Sequence, residues 1–168
     1  MAECGICSRE TPPELVARLA FQKAADVAKR ITASGDERPA IVIGCDTVAE
    51  CLGHILGKPK NRDHAREMMK MMRGREHHVY SGLCLWPLPG EERFVEVDVT
   101  RLEMSPLSDE EVEKYLDTGG WEGKAGGFGY QDNLGWLRIA EGSPSNVVGL
   151  PMERLKAMLA KINQSETG

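Results

Sequence analysis

The stretch Ala40-Ile41-Val42-Ile43-Gly44-Cys45-Asp46 decides how the rest of the chain is read. A short, unbroken apolar run reads as a strand buried on both faces, and this one stops at a carboxylate. An acid at the end of a buried strand is held by a rigid element beside an opening, so Asp46 is the first place to look for chemistry. Upstream, Thr11-Pro12-Pro13-Glu14 has capping-box spacing, with proline where the first helical N–H lacks a partner anyway. Leu15, Val16, Leu19, Ala20, Ala24, Val27 and Ile31 then recur at helical spacing until Ser34-Gly35 ends the run. Downstream, Gly53 and Gly57 mark a loop or ribbon. A second helix from Asn61 to about Arg73 buries Ala65, Met68, Met69 and Met72 and closes at Gly74.

The remainder alternates in the same way. Residues 77–88 suit a strand, and Pro89-Gly90 turns the chain into a partner. There Val95, Val97 and Val99 alternate with Glu96, Asp98 and Thr100, a half-buried antiparallel pattern with the acids on a solvated face. Ser108-Asp109-Glu110-Glu111 is a second capping box, before a helix that buries Val112, Tyr115 and Leu116. Glycines crowd the stretch from Gly119 to Gly135, which reads as a loop where backbone approaches something closely. Trp136–Ala140 reads as a closing strand and Ser143-Pro144-Ser145-Asn146 as a turn. Pro151 opens a last amphipathic helix carrying Met152, Leu155, Met158, Leu159 and Ile162. Parallel-type and hairpin-type strands both occur, which predicts an α/β fold with a mixed sheet in one domain spanning residues 1–168.

Composition removes several function classes. The chain has 168 residues, 21 Lys+Arg against 26 Asp+Glu, and a net charge of −5. That sign disfavours binding a nucleic acid polymer by bulk electrostatics. No apolar run approaches the ~18 residues that span a bilayer, and Met1-Ala2-Glu3-Cys4 lacks the pattern of a secretory signal. Five cysteines form no disulfide framework, so a reducing cytoplasm is expected.

Chemistry-bearing clusters are few. Gly53-His54-Ile55-Leu56-Gly57-Lys58-Pro59 approximates a phosphate loop but has its glycines too close and Pro59 in place of the metal-binding hydroxyl. Read alone, Lys58 is an ordinary surface lysine. Cys4-Gly5-Ile6-Cys7 is half a zinc site without a second pair, and His77-His78 on a strand point to opposite faces. Cys45 reads as packing, and no Gly-x-Ser-x-Gly elbow occurs. What remains is Lys23 on the first helix, Asp46-Thr47, Lys58, and Lys124 with Gln131 in the glycine-rich loop. Cations, one carboxylate and pliable backbone suit the binding and hydrolysis of a phosphate chain.

Those residues lie in motifs that resemble one family. Ile43-Gly44-Cys45-Asp46-Thr47-Val48 followed by Ile55-Leu56-Gly57-Lys58-Pro59 is similar to the signature of the Maf-like nucleoside triphosphate pyrophosphatases. So are Arg18-Leu19-Ala20 with Lys23-Ala24, His78-Val79-Tyr80-Ser81-Gly82, Lys124-Ala125-Gly126 with Gly129-Tyr130-Gln131, and Ser145-Asn146-Val147-Val148-Gly149-Leu150-Pro151. They follow in the family's order and spacing over nearly the whole chain. The resemblance implies a fold related to the inosine triphosphatases, with a curved mixed sheet between two lobes and the nucleotide in the cleft. It implies a house-cleaning hydrolase that cuts nucleoside triphosphates to the monophosphate and pyrophosphate with a divalent metal, Mg or Mn, and a tendency to form homodimers. Asp46 then matches the proton acceptor and a metal ligand, Glu3 a second acidic residue near the metal, and Lys23 and Lys58 the phosphate-contacting lysines. Thr47 and Gln131 match positions of the branch that prefers dTTP and UTP, and Lys124 belongs to the same substrate-binding set.

Departures from the family pattern are local. The opening apolar strand and Ser-x-Ser-Pro-Arg-Arg turn of the family have no counterpart, so the sheet is expected to lack its first strand and the site a phosphate turn. Tyr130, Gly123 and Gly120-Trp121 also differ from the residues usual there. The missing turn motivates a rival reading as an impaired nucleotide-binding remnant, and the family's link with cell-division arrest motivates a regulatory one.

Overall fold

The computed structural model describes residues 10–132 and 134–165. Helix α1 (Pro12–Ala33) leads into strand β1 (Ala40–Cys51), a tight turn and β2 (His54–Leu56). Helix α2 (Arg62–Met72), strands β3 (Glu76–Leu88) and β4 (Phe94–Met104) and helix α3 (Asp109–Asp117) follow. The glycine-rich segment forms two short 3-10 turns before β5 (Leu137–Glu141), the short helix α4 (Pro144–Val148) and α5 (Met152–Ser165). The sheet order is β2-β1-β3-β4-β5.

Local signals account for most boundaries. The Glu14 carboxylate accepts from both the backbone N–H and the hydroxyl of Thr11 at 2.8 Å, fixing the start of α1. Asn61 caps α2 through His64 N–H, and Ser108 caps α3 through Glu111 N–H. Leu52 and Gly53 both adopt positive φ, the conformation that a two-residue hairpin between β1 and β2 demands.

Two expectations about the sheet are corrected. All of its pairings among the described residues are antiparallel, so it is not mixed there. The apolar run is also not buried on both faces: Val42 is buried, while Ile41 and Ile43 are exposed. Along the outer edge of β1, β2 reaches only Ala49–Cys51, so Ala40–Val48 has no strand on that side among the described residues. Among the described residues no helix is long and apolar enough to cross a membrane.

What covers each face follows from side-chain size. Val16, Ala20, Ala24 and Ala28 recur every four residues on α1, giving a stripe of small side chains. It presses on the face of β1 and β3 that carries Gly44 and Gly82, and a Cβ at either glycine would collide with the carbonyl oxygen of Ala20 or Val16. The opposite face packs Leu83 and Leu85 against Leu155, Met158 and Ile162 of α5. Farther along that face, Ala49, Val79 and Leu102 meet the methionines of α2 together with Val112, Leu116 and Phe128. α2 and α3 are further tied by Arg62 and Arg66, whose hydrogen bonds pull the Glu113 carboxyl down to about 2.

The β4 pattern is inverted relative to expectation. Val95 and Val99 are exposed, whereas Glu96 and Asp98 are only partly accessible and receive Arg154 and Lys161 of α5. The helix that covers this face brings its own cations, so acids can face it. Met152 is likewise exposed rather than buried.

Gly82→Ala tests the close approach of α1. The added methyl meets helix backbone, which cannot rotate away as a flexible side chain would. A loss of about 1–3 kcal/mol of unfolding free energy is expected, the scale of overpacking, measured by urea denaturation against the parent chain.

Candidate active site

Asp46 is not at a strand end. It lies within β1, opposite Gly82 of β3, because the ladder continues through Glu50. Its side chain, 17% exposed, shares a face with Gly44, the face α1 covers. The contact of Ala20 and Ala24 with Gly44 brings the intervening Lys23 over the carboxylate. Lys23 Nζ donates to Asp46 Oδ1 at 2.6 Å and to the Cys45 carbonyl at 3.0 Å. An ion pair this open to water adds little stability, ~0–1 kcal/mol. Its chemical content is an ammonium and a carboxylate together at a rim, one able to hold an anion and the other to accept a proton.

Thr47 points to the opposite face, as strand alternation requires. There it lines a cavity of about 160 Å³ with Val79, Gly123, Lys124, Ala125, Phe128, Gly129, Gln131, Val147, Val148 and Gly149. One wall is α4, capped by the Ser143 hydroxyl and ended by Gly149 at φ 116. Asn146 of that helix is wholly buried, and its amide donates to the Val79 carbonyl at 3.1 Å and the Thr100 hydroxyl at 2.9 Å. The Gly149 carbonyl accepts from the Cys45 thiol at 3.1 Å, and burial pushes that thiol's pKa up. Cys45 is therefore a protonated donor to the wall and not a nucleophile.

The other wall is the glycine-rich loop. Gly126 N–H donates to the Gly57 carbonyl at 3.0 Å, tying this loop to the segment that carries Lys58. Lys124 Nζ and Asp132 Oδ2 pair at 2.6 Å across Gly129, where a Cβ would fall 2.5 Å from both atoms. Only glycine lets that pair close. A larger recess of about 520 Å³ around Arg75, Glu103, Trp136 and Arg138 contains none of the residues singled out in the sequence.

The sequence profile of the Maf-like protein family matches residues 3–162. The chain belongs to the Maf-like family. It is similar to the dTTP/UTP pyrophosphatase of Rhodopirellula baltica, 54% identical over 165 residues that cover 98% of this chain and 70% of that protein. The dTTP/UTP pyrophosphatase of Dictyoglomus thermophilum is 38% identical over 164 residues, 97% of this chain and 82% of its own. A relative of the same name from Clostridium botulinum is 36% identical over 161 residues, 95% and 81%.

Within this Maf-like fold the predicted residues fall into two groups. Lys23 and Asp46 meet on the α1 face, while Thr47, Lys124 and Gln131 line the cavity on the other. Lys58 is exposed beside Gly57, does not line the cavity, and makes no side-chain hydrogen bond or ion pair among the described residues. Glu3 lies outside the described residues, as do Cys4 and Cys7. His77 and His78 do separate, His77 into the core and His78 toward Glu50 at 3.4 Å. Ser81, Asp132 and Phe128 were not singled out by sequence reasoning as site residues. No local pattern marks Asp132 as the counter-ion of Lys124, whereas Ser81 was in view as part of the His78–Gly82 motif.

His77 supports the cavity from below. It is fully buried, stands edge-on to Phe128 at 5.2 Å, and neither ring nitrogen has a hydrogen-bond partner among the described residues. Burial lowers its pKa from 6.5 to about 4, so it is neutral in the folded protein at pH 7. The unfolded chain binds this proton more tightly, so the contribution is fully present above 6.5 and is lost as pH falls toward 4. The urea midpoint of the parent should drop between pH 7 and pH 5. In His77→Leu that particular drop should vanish.

Proposed function

We propose that this chain hydrolyses dTTP and UTP to the nucleoside monophosphate and pyrophosphate, with Asp46 taking the proton from the attacking water. It is a nucleoside triphosphate pyrophosphatase, a hydrolase acting on phosphoanhydrides. The observation that carries the reading is the placement of Asp46 and Thr47, consecutive residues of β1, the first paired with Lys23 and the second lining the cavity with Gln131. In this reading the base sits in the cavity with Thr47 and Gln131, and the phosphates lie toward Asp46, Lys23 and Lys58. The Gln131 amide both donates and accepts, which suits the imide edge of uracil or thymine. Lys124 is already paired to Asp132, so it helps shape the cavity wall and is available to phosphate only by leaving that carboxylate.

Water attacking a phosphoanhydride needs a base, neutralisation of phosphate charge, and shelter from bulk solvent. Asp46 is well placed as the base because it is mostly covered yet held beside a cation. Lys23 orients the carboxylate, and Lys58 is a flexible cation for a mobile triphosphate. Among the described residues no three His, Cys, Asp or Glu side chains gather into a metal-holding group. That donor set does not suit a metal caged by protein alone. A single carboxylate does suit Mg or Mn, which keep water and take substrate oxygens. Asp46, together with Glu3, would hold such an ion, and when bound it supplies charge neutralisation on the phosphates. The reading further places the protein in the cytoplasm as a homodimer, with a nucleotide partner and neither nucleic acid polymer nor membrane.

Pyrophosphate release over a panel of triphosphates with magnesium or manganese tests the reaction. Release from dTTP and UTP above the other nucleotides is the expected result, and binding without release would contradict it. Asp46→Asn keeps the shape but cannot take a proton, and should cost ~10²–10⁴ in rate with nucleotide binding retained. A variant holding more than about a tenth of the parental rate removes Asp46 as base. Lys58→Ala should weaken triphosphate binding by ~1.5–3 kcal/mol and leave nucleoside binding unchanged. Isothermal titration with both ligands measures the difference.

A further inference from the structure

Lys124 is the one charged side chain among the described residues that line the cavity, and Asp132 is not part of that lining. The carboxylate therefore holds the ammonium from outside the lining, Nζ to Oδ2 at 2.6 Å, with both side chains partly exposed. Gly129 leaves room for this pair. Its φ lies outside the left-handed region, so backbone conformation does not ask for glycine there, whereas the pair does. A third group stands near the pair and takes no part in it. Tyr115 of α3 is buried, and its hydroxyl has no hydrogen-bond partner among the described residues. Burial pushes its pKa up to about 12, and the Asp132 charge adds to the rise, so the carboxylate lies within electrostatic reach of the hydroxyl. A buried donor without an acceptor is costly and uncommon in folded proteins. This one has a use when its acceptor is released by a ligand.

We propose that Asp132 is a positioning residue that stations Lys124 at the cavity wall, that a phosphate of the nucleotide takes the ammonium from it, and that the Tyr115 hydroxyl then donates to the vacated carboxylate. The inference rests on the triphosphate reading and adds how the site exchanges one negative partner for another. Each state keeps its charges matched. Before binding, Asp132 balances Lys124. Afterwards the phosphate balances Lys124, and the tyrosine O–H satisfies Asp132. Without that hydroxyl the carboxylate would be left unpaired beside an incoming anion, which opposes binding. Tyr115 is held in place, buried and edge-on to Trp136 at 5.4 Å, so the side chain that turns is that of Asp132.

Titration calorimetry with magnesium and the α,β-imido analogue of UTP, which resists cleavage at that bond, reads binding without turnover. Uridine is the control without phosphate. Tyr115→Phe should raise the Kd for the analogue about fivefold or more and leave uridine binding unchanged. Its urea midpoint should equal or exceed the parent's, because the deleted hydroxyl has no partner in the free protein. Weaker phosphate binding without lost stability is a combination that a merely structural tyrosine does not give. Asp132→Asn should tighten analogue binding about two- to fivefold, the worth of the ion pair it loosens, and Lys124→Ala should weaken it. A pair that only builds the cavity wall would instead lose affinity in Asp132→Asn. That loss overturns this inference alone, as does unchanged analogue binding or a lower urea midpoint in Tyr115→Phe. A gain in Asp132→Asn without a loss in Lys124→Ala is a field effect of the carboxylate, and it too overturns this inference alone. A parent chain that does not bind the analogue overturns the triphosphate reading and this inference together.

Discussion

The contact between the backbone of α1 and the bare Cα atoms of Gly44 and Gly82 sets the geometry on which the rest depends. Ordinary side chains on either strand would hold the helix farther out. With glycine on the sheet and alanine on the helix, the two backbones approach closely enough for Lys23 to reach both the Asp46 carboxylate and the Cys45 carbonyl. The stability comes from packing at a close-fitted interface. The ion pair is a consequence of that packing and adds little energy of its own.

The same strand then serves two faces. Because side chains alternate along β1, a carboxylate and a hydroxyl adjacent in sequence stand on opposite sides of the sheet. The carboxylate meets Lys23 of α1 on one face, and the hydroxyl lines the cavity with Gln131 on the other.

Rigidity on the cavity side comes from buried polar groups bonded to one another, with Asn146 Oδ1 alone of the Asn146 side-chain atoms left without a partner among the described residues. Asn146, Thr100, Ser81 and Ser143 bind one another and the strand carbonyls, pinning α4 to β3 and β4. Buried polar groups are costly unless satisfied, so a network of this kind tolerates few alternative arrangements. The facing loop is held by an ion pair closed over Gly129, a backbone bond to Gly57 and the packing of Phe128 into the core.

Local rules made much of this legible. Caps at Thr11, Asn61 and Ser108, the methionine stripe of α2 and the strand at 77–88 follow from spacing and turn chemistry, because those forces act within a few residues. Motif order along the chain also singled out Lys23, Asp46, Thr47, Lys58, Lys124 and Gln131 before any of them had a neighbour. Sequence alone determined the elements, the family resemblance and the cast of polar residues. Only tertiary structure decided that β1 runs on past Asp46, that the sheet is antiparallel throughout the described residues, and that Ile41 and Ile43 lie exposed while Glu96 and Asp98 face a helix. It likewise decided that Lys124 answers to Asp132 and Thr47 to Ser81. Strand direction, the covering of a face and the partner of a buried hydroxyl are set by groups far apart in the chain, and periodicity carries no information about such partners.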